Sequence, residues 1–187
     1  MDFAAKTNHL LLELTDRYCE PGRFYHTLVH IAHMLHAGRE FPITDTQKWA
    51  IWFHDAIYDP RSSTNEEDSA QLAESRLSEM GLPDRDVDAV ASIVRDTATH
   101  VATSEAAAAV IDLDLSSLAL PWPAFEANRM AIRKEYLFVS DEDFAQSTRE
   151  LFLRFLDRPR LFVTSWGQRL EPSARSNIER SLGESRK

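Results

Sequence analysis

The sequence predicts an all-α protein, folded as a single-domain helical bundle, and three observations favour this fold class. Only five of the 187 residues are glycine, so few positions interrupt regular structure. Apolar residues recur every three or four positions, as on one helix face, and the alternating runs typical of strands are nearly absent. A hydrophobic fraction of 43% over this length allows a substantial core, so we expect one domain over residues 1–187.

Two helices are predicted in the N-terminal part of the chain. Residues 3–18 form an amphipathic pattern, and the Glu-Pro-Gly-Arg segment at 20–23 breaks it. A second helix is expected over residues 25–39. On that helix His26, His30 and His33 would follow one another at i, i+4 and i+7, so we expect all three to project from one face.

A third predicted helix, centred on residues 49–59, is apolar on every side, which is typical of a helix buried all round. Thr44 and Asp45 are expected to cap its start, and Pro60 to end it. The same segment contains His54, Asp55 and Asp59. Because burying ionisable groups is costly unless they are paired, a bound metal cation is the most economical partner for the His-Asp pair.

Further helices are predicted along the rest of the chain. Thr64 and Glu67 resemble a capping box at the start of a helix that ends at Gly81. The remaining predicted helices cover residues 83–100, 104–118, 124–138, 141–157 and 174–182.

One acidic residue in the predicted helix 104–118 falls within its apolar stripe. Val110, Ile111, Leu115 and Leu118 share one side of the helical wheel, and Asp114 lies among them. Asp112, two positions earlier, would point the opposite way, and we expect it to be a solvated carboxylate.

Charge and composition exclude several classes of partner. A formal net charge of -9 argues against binding to a nucleic acid polymer or to an anionic membrane surface. The single cysteine, Cys19, fits a reducing, cytoplasmic setting. We recognise no secretory signal and no run of apolar residues long enough to span a membrane.

Separated segments therefore each offer side chains that can bind a metal: His30 or its neighbour His33, the pair His54 and Asp55, and Asp114. Imidazoles and carboxylates together suit a divalent ion such as Mn, Fe, Co, Ni, Zn or Mg. A cation with open coordination positions can acidify bound water and polarise a phosphoryl oxygen. Hydrolysis of a phosphate ester needs both effects.

Four sequence segments, in order, resemble the HD superfamily of metal-dependent phosphohydrolases, and most closely a group of short bacterial members of about this length. The segments are RFYHTLVH at 23–30, WFHDAIYDP at 52–60, NE at 65–66 and DLDL at 112–115. They span most of residues 20–140, within a core of about 20–157. The resemblance implies an HD-domain or phosphodiesterase-like bundle whose divalent metal is held by His30, His54, Asp55 and Asp114.

The resemblance also implies candidate catalytic residues. The Tyr-His-x-x-x-His segment at 25–30 is similar to one in cyclic nucleotide phosphodiesterases, where the first His protonates the leaving group, so His26 is the candidate general acid, or alternatively a positioning group. Tyr58 stands where the similar segment of alarmone hydrolases has Glu, so an alarmone substrate does not follow. Asp59 and Glu66 could serve as base, second-metal ligand or water-orienting carboxylate, although Glu66 could equally be an ordinary first-turn acid.

Phosphate contacts are expected from three further residues, although helix-end or surface salt-bridge roles are the alternative for each. The candidates are His100, Arg23 and Arg133. The predicted activity is hydrolysis of a small phosphorylated metabolite, nucleotide-like, as a mono- or diester, by metal-activated water. The alternatives are a catalytically silent metal-binding or ligand-sensing module, and a helical interaction protein without a metal. Whether the chain acts as a monomer or as a homodimer does not follow from the sequence.

Overall fold

The computed structural model describes residues 2–184, and it confirms the all-α class. Within these residues there are ten α-helices, two short 3-10 helices and no strand. The α-helices are α1 (Phe3–Tyr18), α2 (Leu28–Ala37), α3 (Asp45–Phe53), α4 (Asn65–Met80), α5 (Asp84–Thr97), α6 (Glu105–Leu115), α7 (Trp122–Glu135), α8 (Asp141–Asp157), α9 (Ser165–Gln168) and α10 (Glu171–Glu184). No helix in this part of the chain has both the length and the apolar character needed to cross a membrane.

The chain divides into two compact units, Met1–Ile111 and Asp112–Lys187, and each is packed internally. The single domain expected over residues 1–187 stays a prediction.

The first unit is organised around α3, α4 and α5. Helix α4 lies along α5, and α3 packs against α5. On α3, Ala50, Ile51 and Phe53 are fully buried, as the apolar character of this segment predicts. Burial of these residues fixes the C-terminal end of α3 inside the unit, where His54 and Asp55 follow it.

The second unit is organised around α10, which packs against α8 and against the 3-10 helix Ser116–Ala119. The side-chain amide of Asn177 donates hydrogen bonds to the carbonyl oxygens of Leu118 and Leu120, both at 2.8 Å. These bonds satisfy carbonyl groups that lie at the end of the 3-10 helix, where no helical partner follows.

Helix α3 is shorter than the sequence predicts, because it ends at Phe53 rather than at Pro60. The last helical bond is donated by the N–H of His54 to the carbonyl of Ala50, and the N–H of Ala56 turns back to the carbonyl of Phe53. The predicted helix over residues 49–59 is therefore wrong in its second half. His54 and Asp55 lie in a turn at the end of a helix rather than on its side.

Helix α2 begins later than predicted. Thr27 has extended backbone angles and its hydroxyl accepts a hydrogen bond from the N–H of Val29, so Thr27 is the N-cap and Leu28 the first helical residue. His26 consequently precedes the helix, and the expectation that it continues the His30 and His33 face by helical spacing is wrong.

Two threonines predicted to cap helices behave differently. Thr44 and Gln47 form a reciprocal capping box at the start of α3, which confirms the expected cap there. Thr64 makes no side-chain cap bond to α4 and instead donates to the carboxylate of Asp68, so the predicted capping box at Thr64 and Glu67 is wrong. Gly81 ends α4 in the left-handed conformation, with φ of 91°.

Candidate metal centre

His54 is oriented by the end of helix α3. Its ring nitrogen Nδ1 lies 2.9 Å from the carbonyl oxygen of Ile51, which is one of the last-turn acceptors of the helix. A continuing helix would have paired that carbonyl with the N–H of Asp55. We therefore assign the proton of the neutral ring to Nδ1, which makes Nε2 the ligand atom, as in metal-binding histidines whose second nitrogen donates to a backbone carbonyl.

His30 reaches the same point from helix α2. The residue is 4% exposed, and its Nε2 lies 3.2 Å from the Nε2 of His54. The two ring planes meet at 63°, with centroids 5.3 Å apart. Two imidazole nitrogens thus face one another inside the first unit.

Asp55 offers a third atom that could bind a metal. Its Oδ2 lies 2.9 Å from the Nε2 of His54 and 3.9 Å from the Nε2 of His30. With the 3.2 Å between the two nitrogens, these distances define a triangle whose circumscribed radius is about 2.0 Å, the length of a Zn–N or Zn–O bond. Among the described residues, the His30, His54 and Asp55 cluster could hold a metal ion.

The electrostatics of the cluster favour an ionised Asp55. Burial by itself acts to raise the pKa of this carboxyl. When protons rather than a metal occupy the imidazoles, the positive charges of His54, His26 and His30, together with a hydrogen bond from the protonated Nε2 of His54, outweigh burial and hold the pKa well below its ordinary value. The carboxylate form, which is the form that binds a cation, is therefore the one present at neutral pH.

His26 lies beside the cluster although it is outside helix α2. Its ring centroid is 6.3 Å from that of His30 and 4.2 Å from that of Tyr58, whose ring is tilted by 31° relative to the imidazole. Tyr25 lies against both histidines, at 4.9 Å from His26 and 5.0 Å from His30. The candidate acid thus contacts two tyrosine rings and lies next to His30.

The two arginines predicted to contact phosphate are engaged in bonds to their own unit. Arg23 donates to the backbone carbonyls of His26, Asp55 and Ala56 and to the carboxylate of Glu20. Arg133, in the second unit, donates to the carbonyls of Tyr136 and Val139 and to the carboxylate of Asp141. A phosphate contact at Arg23 would require some of its bonds to break, and the phosphate roles of both arginines stay predictions.

The remaining candidate residues of the first unit are not part of the three-residue cluster. Asp59 is exposed and its carboxylate accepts the N–H of Arg61, while its backbone pairs with the side chain of Asn65. Glu66 is half-buried in the first turn of α4. His100 follows the end of α5 with a φ of 50°. Their predicted roles in catalysis or phosphate binding stay predictions.

Of the two aspartates of helix α6, Asp112 differs from expectation in its burial. Asp112, expected to be solvated, is fully buried: its carboxylate accepts the N–H groups of Val163 and Thr164 and the hydroxyl of Thr164, at 2.6–3.2 Å. The helical wheel was a poor guide because a distant loop covers this side of the helix. Asp114 is half-buried and belongs to the second unit, and its role as the fourth metal ligand stays a prediction.

Two contributors to the site carry no recognisable pattern in the sequence. The Ile51 carbonyl becomes available only because α3 stops at Phe53, and no residue marks that stop. Two of the three carbonyls that Arg23 contacts, those of Asp55 and Ala56, lie 32 and 33 residues further along the chain, a separation that local periodicity does not cover.

The described part of this chain is an all-α protein with a buried histidine-aspartate cluster that could hold a metal ion. Comparisons of the chain with family models, with curated proteins and with solved structures find no match.

Proposed function

We propose that this protein is a metal-dependent phosphohydrolase of the HD type, acting on small phosphate esters. The observation that supports it best is the triangle formed by the Nε2 atoms of His30 and His54 and the Oδ2 of Asp55, whose centre is equidistant from all three at about 2.0 Å, a metal–ligand bond length. The resemblance of the motifs at 23–30, 52–60 and 112–115 to that superfamily supplies the reaction class.

The chemistry of the three atoms favours a cation at their centre. With the His54 proton on Nδ1, the Nε2 atom presents a lone pair to the Asp55 carboxylate, and the His30 nitrogen faces both. Electron pairs at such distances repel unless a positive charge, either a proton or a metal cation, lies among them. Two imidazoles and a carboxylate suit the borderline divalent ions from Mn to Zn, and Mg less well.

In this proposal a divalent cation would acidify a water molecule and neutralise charge on the phosphoryl oxygens. The chain itself would provide the rest of the chemistry. Asp55, His30 and His54 would bind the cation and hold it in a fixed position, because helix ends and buried packing fix their side chains. His26, beside His30 and against Tyr58, would donate a proton to the departing ester oxygen, since an imidazole titrates near neutral pH.

The test begins with protein purified without chelators. Elemental analysis is expected to find a divalent metal, and a panel of phosphomonoesters and phosphodiesters assayed with Mn, Fe, Co, Ni, Zn and Mg is expected to reveal hydrolysis. Asp55→Ala should abolish both bound metal and turnover. Asp88→Ala, an exposed aspartate on α5 of the same unit, is the matched control and should change neither.

Three results would contradict the proposal in different ways. Turnover retained by Asp55→Ala would remove the metal mechanism. Bound metal without hydrolysis of any ester would indicate the silent metal-binding or ligand-sensing module. Protein that never binds a divalent ion would indicate a helical interaction protein.

A further inference from the structure

Arg23 is the most completely bonded side chain beside the candidate metal centre. Its side chain is 2% exposed, and five hydrogen bonds use the five N–H donors of its guanidinium. Two go to Glu20 at 3.1 and 3.3 Å, and three go to backbone carbonyls. A side chain with this geometry holds protein groups in place and has no donor left over for a ligand.

The three carbonyls belong to the two segments that carry the site. Arg23 Nη1 donates to the carbonyl of His26 at 3.3 Å and to that of Asp55 at 2.6 Å, and Nη2 donates to the carbonyl of Ala56 at 3.1 Å. The segment of His26 precedes α2, and the segment of Asp55 follows α3. Neither segment is helical, so helix geometry does not fix either one.

Two tyrosine rings also link Arg23 to the segments that carry the site. The Cζ atom of Arg23 lies 5.2 Å from the ring centroid of Tyr18 and 5.4 Å from that of Tyr58, both within cation–π range. Tyr18 donates its hydroxyl to the carbonyl of Trp52 on α3, and Tyr58 stacks against His26 at 4.2 Å. The arginine is thus joined through one ring to the helix preceding His54 and through the other to the candidate acid.

We propose that Arg23 is a positioning residue that fixes His26 relative to the metal ligand Asp55, and that it does not contact phosphate. The proposal rests on the proposed function, because it assigns Arg23 a part in the same site. Lysine cannot replace it, since an ammonium has three donors on a flexible stem and cannot reach the carbonyls of both segments in the fixed fork of a guanidinium.

The first experiment compares Arg23→Lys with Arg76→Lys. Arg76 is the matched control because it is in the same unit and donates to the carboxylates of Glu13 and Glu79, neither of which belongs to the cluster. The probes are Co²⁺, whose visible spectrum reports its coordination, and hydrolysis of p-nitrophenyl phosphate and bis-p-nitrophenyl phosphate. For Arg23→Lys we expect kcat and Co²⁺ affinity each to fall by about 10- to 100-fold, the usual effect of losing support behind metal ligands, with KM little changed.

A second variant tests the contact that Arg23 makes with His26 through the Tyr58 ring separately from its hydrogen bonds to backbone carbonyls. Tyr58→Leu leaves the carbonyl bonds of Arg23 in place and removes the ring between Arg23 and His26. It should lower kcat while leaving the affinity and the spectrum of Co²⁺ unchanged. Should Arg23→Lys not fold, this variant still tests the connection to His26, and a normal kcat in Tyr58→Leu would overturn it.

The outcomes separate this inference from the proposed function. Wild-type protein that neither binds Co²⁺ nor hydrolyses the esters overturns both. Active wild-type protein with Arg23→Lys unchanged in kcat and Co²⁺ affinity overturns the positioning role alone. An Arg23→Lys variant with higher KM and weaker inhibition by inorganic phosphate, but with normal kcat and Co²⁺ spectrum, would make Arg23 a substrate contact and also overturn it.

Discussion

At the scale of single residues, the protonation of His54 depends on one backbone carbonyl. The Ile51 oxygen, 2.9 Å from Nδ1, sets which nitrogen of the ring faces Asp55 and His30. The same carbonyl would be unavailable in an uninterrupted helix. Residue-scale chemistry here therefore depends on where a helix stops.

Asp114 is the predicted ligand that lies in the second unit, and a substitution tests it directly. If Asp114 binds the metal, Asp114→Ala should weaken the affinity for Mn²⁺ or Co²⁺ by at least about 10- to 100-fold, which is the range for losing a group that only supports a ligand. Isothermal titration of metal-stripped protein measures this. Asp88→Ala is the control and should bind the metal as the wild type does. A wild-type affinity in Asp114→Ala would contradict the role of Asp114 as a ligand.

Asp112 makes a second residue-scale prediction. Replacing it with Ala removes the acceptor of three part-buried donors, the N–H groups of Val163 and Thr164 and the Thr164 hydroxyl. Since an unsatisfied buried donor costs about 1–3 kcal/mol and water can reach part-buried ones, we expect a total loss of about 2 kcal/mol in the free energy of unfolding. Urea denaturation measures it, and a loss below about 0.5 kcal/mol, as at an ordinary surface site, would contradict it.

At the scale of elements, the start of α3 matters because this helix leads into His54. Thr44→Ala removes the capping box and should cost about 1 kcal/mol in the free energy of unfolding. Thr64→Ala is the comparison, because Thr64 precedes α4 without making a cap bond and its hydroxyl bonds instead to the side chains of Ser62 and Asp68. Denaturation of both variants measures the difference. Equal losses would mean that the capping box of Thr44 stabilises the start of its helix no more than ordinary side-chain bonds do.

The first turn of α10 predicts a pH dependence. Burial acts to raise the pKa of Glu171, but hydrogen bonds from the N–H groups of Leu161 and Phe162 and from Arg175 outweigh it, so its pKa lies below the ordinary 4.5. A lowered folded-state pKa contributes stability above pH 4.5 that is lost as the pH falls through the folded-state value.

The measurement is urea denaturation of wild type and Glu171→Gln between pH 3 and pH 7 (roughly the range over which such a linkage develops). The difference in unfolding free energy should be largest above pH 4.5 and should shrink below it. Glu179→Gln, exposed on the same helix, is the matched control. A difference that grows as the pH falls would have the wrong sign and would contradict the assignment.

At the scale of the whole molecule, a bound metal should stabilise the folded protein, because it binds the native cluster and not the separated ligands of the unfolded chain. A cation at 100 times its Kd adds about 2.7 kcal/mol, which corresponds to roughly 5–10 °C in Tm at this chain length. Thermal unfolding after chelation and after readdition of Mn²⁺ measures this. The shift should be absent in Asp55→Ala and present in Asp88→Ala, and an equal shift in both would place the metal elsewhere.

The sequence by itself determined the helical class, because helix formation depends on local properties such as the spacing of apolar residues and the scarcity of glycine. It also indicated that His54 and Asp55 need a partner, because they are ionisable groups in an apolar segment, while His30 was chosen by the family resemblance; the structure places these three side chains together in a cluster that could hold a metal ion. Tertiary structure alone decided that α3 ends at Phe53, that Arg23 binds the carbonyls behind His26 and Asp55, and that Asp112 is buried under Val163 and Thr164. These outcomes rest on hydrogen bonds between segments far apart in the chain, which form only once packing has brought their backbone groups together.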